Sequence, residues 1–173
     1  MSRTVLSPTI EADLEALRRL WARGEVMRHV GFPEGLELAR ADVQAWFEQV
    51  SRDGRRSHFT VRSPEGDFCG EVYYELDPEH RRAGLDIKLL PRCQGKGLAR
   101  AALDQVIARV FQCHEDVEAV WTEPHEDNAA ARRLYERCGL VEQPRPDDLG
   151  LGAPYWELSR PSWEARRTGS MLD

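Results

Sequence analysis

The 173-residue sequence has no apolar run approaching the roughly 18 residues that cross a bilayer. Its first stretch, MSRTVLSPTIEADLEALRRLW, carries no apolar segment of signal-peptide length. A soluble, cytoplasmic protein is therefore expected. Cysteine is scarce, and the four present, Cys69, Cys93, Cys113 and Cys138, form no CxxC pair. That argues against a cysteine zinc site or a dithiol redox motif and suggests reduced thiols in a reducing compartment. The five histidines, His29, His58, His80, His114 and His125, show no metal-ligand spacing, so no metal is expected. There is no GxSxG, and no cysteine has a motif-level link to a histidine, which argues against common nucleophilic hydrolases. Positive charge is not in excess either. The net charge of −6 speaks against nucleic acid as a partner. It is compatible with cationic substrates such as polyamines, and equally with the ordinary acidic surface of a bacterial cytosolic protein.

What is present suits a globular domain. Hydrophobic residues make up 41% and charged residues 31% of the chain, and no linker or repeat divides it. A single domain over 1–173 is expected, with a polar C-terminal tail from about residue 160. Residues 4–6 read as a short strand. Residues 11–23 place Leu14, Leu17, Leu20 and Trp21 on one helical face. Residues 25–38, broken by Gly31, Pro33 and Gly35, read as a loop or broken helix. Asp42 is a candidate cap for a helix over 43–52. Strands are expected over 58–62, 68–76 and 85–90, with a polar, irregular connection at 77–84. A long helix to about Gln112, a strand over 117–122, a helix over 128–138 stopped by Gly139, a loop over 144–154 and a last strand over 155–159 complete the order. The result is a mixed α/β architecture around one central sheet.

The segment with chemical content is LDIKLLPRCQGKGLARAALDQVIARVF, residues 85–111. A strand enters a loop with two glycines, and the loop feeds a helix. Helix starts carry unpaired N–H groups and the positive end of the helix dipole, and Gly95 and Gly97 allow close approach of a ligand. Such a loop suits a pyrophosphate. It is not a P-loop, because Lys96 is followed by Gly97 with no Ser or Thr. It is not a dinucleotide fingerprint or a kinase loop, because Arg100 stands where a small residue is required. The remaining alternative is a tight strand-to-helix turn with no ligand.

Gln94-Gly95-Lys96-Gly97-Leu98-Ala99 resembles the Q/R-x-x-G-x-G/A signature of the GNAT acetyltransferase superfamily. The segment Asn128 to Leu140, NAAARRLYERCGL, is similar to its N-x-x-A-x-x-x-Y-x-x-x-G-F/L motif. The two motifs cover about 85–141, and the strand order extends the resemblance over about 4–159. The N-terminal half, with EVMRHVG at 25–31, most resembles the bacterial branch containing ribosomal-protein N-terminal and spermidine acetyltransferases.

The resemblance implies a sheet with a V-shaped splay between two strands, flanked by helices, and acetyl-CoA as co-substrate. It implies that the pantetheine arm pairs with backbone groups of Ile87 and Leu89. The pyrophosphate then sits on Gln94, Gly95, Lys96, Gly97, Leu98 and Ala99, with charge from Arg100 and Lys96. Asn128 contacts the cofactor arm, alongside its plain reading as a helix N-cap. Tyr135 matches the general acid, and its other reading is a core aromatic. An oxyanion is expected on a backbone N–H near Leu89 or Leu90. Glu123 is the first candidate for the base, with Glu71 and Glu75 as runners-up and a solvated loop carboxylate as the alternative. The acceptor is a primary amine, either a small molecule or a protein N-terminus, and a homodimer is common in the family. A non-catalytic acyl-CoA-binding module is the competing reading.

Overall fold

The computed structural model of the protein describes residues 5–169. Thr4, expected in the first strand, lies outside them. Seven strands form one sheet in the order β1-β2-β3-β4-β5-β7-β6. They are β1 Val5–Pro8, β2 Arg56–Arg62, β3 Phe68–Asp77, β4 Arg82–Leu89, β5 Ala119–Thr122, β6 Val141–Gln143 and β7 Tyr155–Ser159. All neighbours are antiparallel except β4 and β5. The helices are α1 Leu14–Trp21, α2 Gly24–Met27, α3 Arg40–Asp53, α4 Leu98–Cys113, α5 Ala129–Cys138 and α6 Arg160–Gly169. The mixed sheet flanked by helices is the architecture the sequence predicted.

The register makes the two faces of the sheet chemically different. Phe59, Val72 and Ile87 are cross-strand neighbours, so they share a face with Val61, Tyr74, Leu85 and Leu89 by the period of two. Helix α4 covers this apolar face. Its buried side chains are Leu98, Ala102, Leu103, Val106, Ile107, Val110 and Phe111, the positions its periodicity predicted. Each large one contributes about 1.5–3 kcal/mol by leaving water. The opposite face carries His58 and Thr60 from β2, Glu71 and Tyr73 from β3, and Asp86 and Lys88 from β4. It lies under α1 and α3, where Trp21 stacks edge-on with Trp46 at 4.8 Å and Trp46 with His58 at 5.0 Å. The indole of Trp21 donates to Glu71 Oε1 at 2.9 Å. A buried ionic layer thus sits where an ordinary sheet would be apolar.

Several local expectations are corrected. Asp42 is not the cap of α3. The N-cap is Ala39, and Asp42 accepts from its N–H at 2.8 Å from inside the first turn. The 77–84 connection is mostly strand, because Arg82 is drawn in by Asp77 and Asp148 and pairs β4 with β5; only 78–81 turns, with Arg81 at φ 52°. The broken segment after Trp21 forms the short α2 and one 3₁₀ turn. β6 was not expected: Val141–Gln143 has all three residues exposed and no alternating pattern. The polar tail from residue 160 is helical through Gly169. Arg160 donates to the carbonyls of Phe111, His114 and Val117 at 2.7–2.9 Å, and Trp163 packs on Phe111 at 5.0 Å. Two side chains anchor a segment whose composition reads as a frayed end.

Candidate active site

β4 and β5 pair only through Arg82–Gly84 against Ala119–Trp121. Beyond Gly84 the strands part, giving the expected V. At the point of parting, the Thr122 hydroxyl donates to the Leu85 carbonyl at 3.1 Å. Leu90 N–H donates to Cys69 on the β3 side at 2.8 Å, so by alternation Leu85, Ile87 and Leu89 turn their backbone groups away from β3. The Leu89 carbonyl accepts from Gln94 Nε2 at 3.1 Å, and Ile87 N–H donates to its neighbour Asp86 at 2.9 Å. The Ile87 carbonyl and Leu89 N–H face the gap, which opens into a cleft of about 550 Å³. Of the two N–H groups expected to hold an oxyanion, Leu90 is committed to β3 and Leu89 is the one facing the cleft.

The glycine loop forms the second wall. Gly95 and Gly97 adopt φ of 71° and 79°, the left-handed region that favours glycine. A Cβ at either would meet no protein atom within 4 Å, so these glycines are required by backbone conformation and not by neighbours. α4 starts at Leu98, with Gly97 as N-cap rather than in the helix; the first intrahelical donor is Ala101, bonded to the Gly97 carbonyl at 3.1 Å. The preceding N–H groups are left without helical partners, the arrangement that binds anions. Gln94, Gly95, Gly97, Ala99 and Arg100 line the cleft. The side chains of Lys96 and Leu98 do not: Leu98 is buried in the core and Lys96 is exposed outside the lining. Arg133 and Arg137, one turn apart on α5, line the same cleft as Arg100 and were missed. Their spacing was legible, but Arg132-Arg133 reads as a solvated pair from sequence alone.

α5 supplies two further groups. Asn128 lines the cleft and caps the helix by accepting from Ala131 N–H at 3.1 Å. Tyr135 is 4% exposed, borders the cleft and stands beside the Thr122 side chain. Burial pushes its phenol pKa well up, and the negative charge of Asp86 adds to that shift, so the hydroxyl keeps its proton at neutral pH.

The remaining wall is ionic. Asp86 and Lys88 pair closely with each other, and Lys88 Nζ lies 3.5 Å from Glu71. Glu71 is 2% exposed and bonds His58 Nε2 at 2.8 Å, whose Nδ1 is 2.8 Å from Thr9 Oγ1. Burial pushes the Glu71 carboxyl up, but the bond to His58 and the charge of Lys88 outweigh it and hold it at about 2. Burial opposes the charge on Lys88, yet Asp86 and Glu71 raise its pKa overall. Glu71 therefore belongs to the foundation behind the cleft. Glu75 is elsewhere, paired with Arg56. Glu123 does line the cleft, but its carboxylate is ion-paired with Arg145 from the loop after β6. His29 and His125 face one another at 5.7 Å at the same end; burial, Arg28 and His125 lower the His29 pKa. Asp86 was missed, although the alternation in LDIKL already placed it with Lys88 on one face. Among the described residues the one cluster with metal-ligand spacing is Asp77, His80 and Asp148, and the Arg82 guanidinium already bonds both of its carboxylates.

The model of the acetyltransferase (GNAT) domain family matches residues 3–141. A spermidine N(1)-acetyltransferase of Vibrio cholerae serotype O1 is 26% identical over 103 residues, 59% of this chain and 59% of that relative's own length. Among solved structures, spermidine N-acetyltransferase from Vibrio cholerae in complex with CoA and spermine superposes with a TM-score of 0.80 at 19% identity, covering 94% of this chain and 98% of that one. The aminoglycoside acetyltransferase AAC(6')-Ib in complex with coenzyme A gives 0.76 at 21% identity, covering 95% and 99%. At these identities the likeness to both structures is one of fold. No helix among the described residues is long and apolar enough to cross a membrane.

Proposed function

The chain belongs to the acetyltransferase (GNAT) family, and from that premise we propose that it transfers an acetyl group from acetyl-CoA to a primary amine by direct attack within a ternary complex. The observation that carries this reading is the unpaired stretch of β4, whose Ile87 carbonyl and Leu89 N–H open into the cleft that Tyr135 borders. The neighbours solved with coenzyme A, and the spermidine and aminoglycoside acetyltransferase names they bear, support acetyl-CoA and a small-molecule amine as the substrates.

The Ile87 carbonyl accepts from an amide N–H of the pantetheine arm, which lies along β4 as an added strand. The free N–H groups of the glycine loop take the pyrophosphate, and Arg100, Arg133 and Arg137 add positive charge on the same wall. Asn128, already a helix cap, stands beside the arm. The Leu89 N–H, fixed by the β3 pairing on either side of it, stabilises the oxyanion that develops on the thioester carbonyl. Tyr135 gives its proton to the departing thiolate, whose conjugate thiol has a pKa near about 8.5.

The acceptor enters as an ammonium. With a pKa near about 10.4, roughly one molecule in a few thousand is free base at pH 7, a deficit of about 4–5 kcal/mol. A carboxylate is useful here. Tyr135 marks the sulfur, so the base must sit close to it. Asp86 lies near enough to act on the Tyr135 phenol through its charge, whereas the Glu123 carboxylate is held by Arg145 of the loop after β6. Asp86 therefore replaces Glu123 as first candidate for taking the amine's proton, and Glu123 becomes the second.

Acetyl-CoA-dependent thiol release with a panel of amines tests the reading. Release that requires the amine supports transfer. Binding of acetyl-CoA without release for any amine would favour the acyl-CoA-binding module instead.

A further inference from the structure

Resting on the transferase reading, the pairing of charges at the acceptor end defines which amine enters. Three carboxylates line that end: Glu25, Asp86 and Glu123. Each already holds a cation. Asp86 pairs with Lys88, Glu123 with Arg145, and Glu25 with Arg23 at 2.8 Å. A polyamine, which carries an ammonium at each nitrogen, needs several uncompensated carboxylates, since specificity between charged ligands is set by complementarity. A binding wall whose negative charges are neutralised in place offers a second or third ammonium little return for the water it loses.

The decisive partner is Arg145, because it is built in. Its Nε donates to the Gly150 carbonyl at 2.6 Å, Nη1 to Ala153 at 2.9 Å and Nη2 to Leu149 at 3.2 Å, and the side chain is 20% exposed. Gly152 leaves room for it: a Cβ there would lie 2.4 Å from Nη2. An incoming cation cannot displace this guanidinium from Glu123 without stripping three backbone carbonyls of their donor. Lys88 is similarly fixed, since it is 10% exposed and lies between Asp86 and Glu71. Arg23–Glu25 is the loose pair, with both side chains about half exposed.

One cation at this end is left over. Arg28 lines the cleft and is exposed; among the described residues it makes no ion pair, and its Nε donates to His29 Nε2 at 3.2 Å. From this balance we infer that Arg145 is a specificity-determining residue that makes the cleft select acceptors with a single ammonium. Arg28 favours those that also carry a carboxylate. The acceptor class is an amino-acid-like zwitterion, and polyamines are disfavoured.

Four acceptors that share a four-carbon amine unit test this: 4-aminobutyrate, n-butylamine, putrescine and its longer relative spermidine. The readout is kcat/KM for thiol release from acetyl-CoA, in wild type and in Arg145→Gln and Arg28→Ala variants. In wild type, 4-aminobutyrate should be the best acceptor, followed by butylamine, with spermidine at least about tenfold below 4-aminobutyrate. Arg145→Gln should raise the spermidine-to-butylamine ratio by about tenfold. Arg28→Ala should reduce 4-aminobutyrate turnover alone, and it tests the balance without touching the 144–154 loop. Wild-type preference for spermidine over butylamine overturns the inference while leaving acetyl transfer standing. An unchanged ratio in a folded Arg145→Gln overturns the role of Arg145. Absence of thiol release with every amine, while acetyl-CoA still binds, overturns the transferase reading and this inference with it.

Discussion

Thr122 donates its hydroxyl proton to the Leu85 carbonyl at 3.1 Å, at the point where β4 and β5 separate. The same side chain stands beside the Tyr135 phenol. One threonine therefore stands where the sheet pairing ends and next to the candidate acid that borders the gap.

Tyr135→Phe removes the proton donor and keeps the ring, which is buried on α5. Single-turnover acetyl transfer should slow by about 10²–10⁴-fold, the usual worth of a positioned acid. Acetyl-CoA affinity, followed in a separate titration, should stay within a few-fold, because the hydroxyl acts as the bond breaks. Wild-type transfer rates in a chemistry-limited assay would remove Tyr135 from the mechanism.

Gly97→Val puts a β-branched side chain at φ 79°, in open space on the cofactor wall. Backbone strain of about 1–2 kcal/mol should leave the fold in place. Coenzyme A affinity should fall by at least about tenfold, or ~1.4 kcal/mol. Unchanged affinity by titration calorimetry, with a native circular dichroism spectrum, would put the pyrophosphate elsewhere.

Asp86→Asn and Glu123→Gln separate the two candidate bases, both of which line the cleft. Loss of the true base should depress kcat/KM most at low pH, where free amine is scarcest, and progressively less as pH approaches the pKa of the amine. The pH–rate profile should change in this way for Asp86→Asn. Glu123→Gln should instead alter KM for the acceptor and leave the shape of the profile intact. The reverse pattern would return the role to Glu123.

Glu71 predicts an acid limb of stability. Its carboxyl sits at about 2 in the folded protein against a usual 4.5, so the folded state binds fewer protons. Its contribution, ~3 kcal/mol, is fully present above pH 4.5 and is lost as pH falls toward 2. Glu71→Gln should lower stability at pH 7 by about 3–5 kcal/mol, because Lys88 and His58 lose a buried partner. It should also flatten the decline below pH 4.5. Urea midpoints measured at pH 7, 4 and 3 provide the check; parallel declines for the two proteins would mean that Glu71 is not the titrating group.

Local order accounts for what could be read from the chain alone. Gly95 and Gly97 announce a left-handed loop because few other residues adopt that conformation without strain. The stripe from Leu98 to Phe111 follows from 3.6 residues per turn, and Asn128 three residues before Ala131 is a cap by its own chemistry. The glycine loop, the Tyr135 helix and the strands other than β6 are all patterns of this short range.

What only the tertiary structure decided is which charge meets which. Arg145 and Glu123, Lys88 and Glu71, and Arg82 and Asp148 are 22, 17 and 66 residues apart. Composition around 77–84 and beyond 160 reads as solvated because the sequence does not show that Asp148 will draw in Arg82 or that three carbonyls will hold Arg160. An isolated charge in a sequence is a surface residue by default, since burying it alone is costly. Partners brought from distant parts of the chain by strand register and loop closure reverse that expectation, and here they set both the ionic layer behind β4 and the charge of the acceptor end.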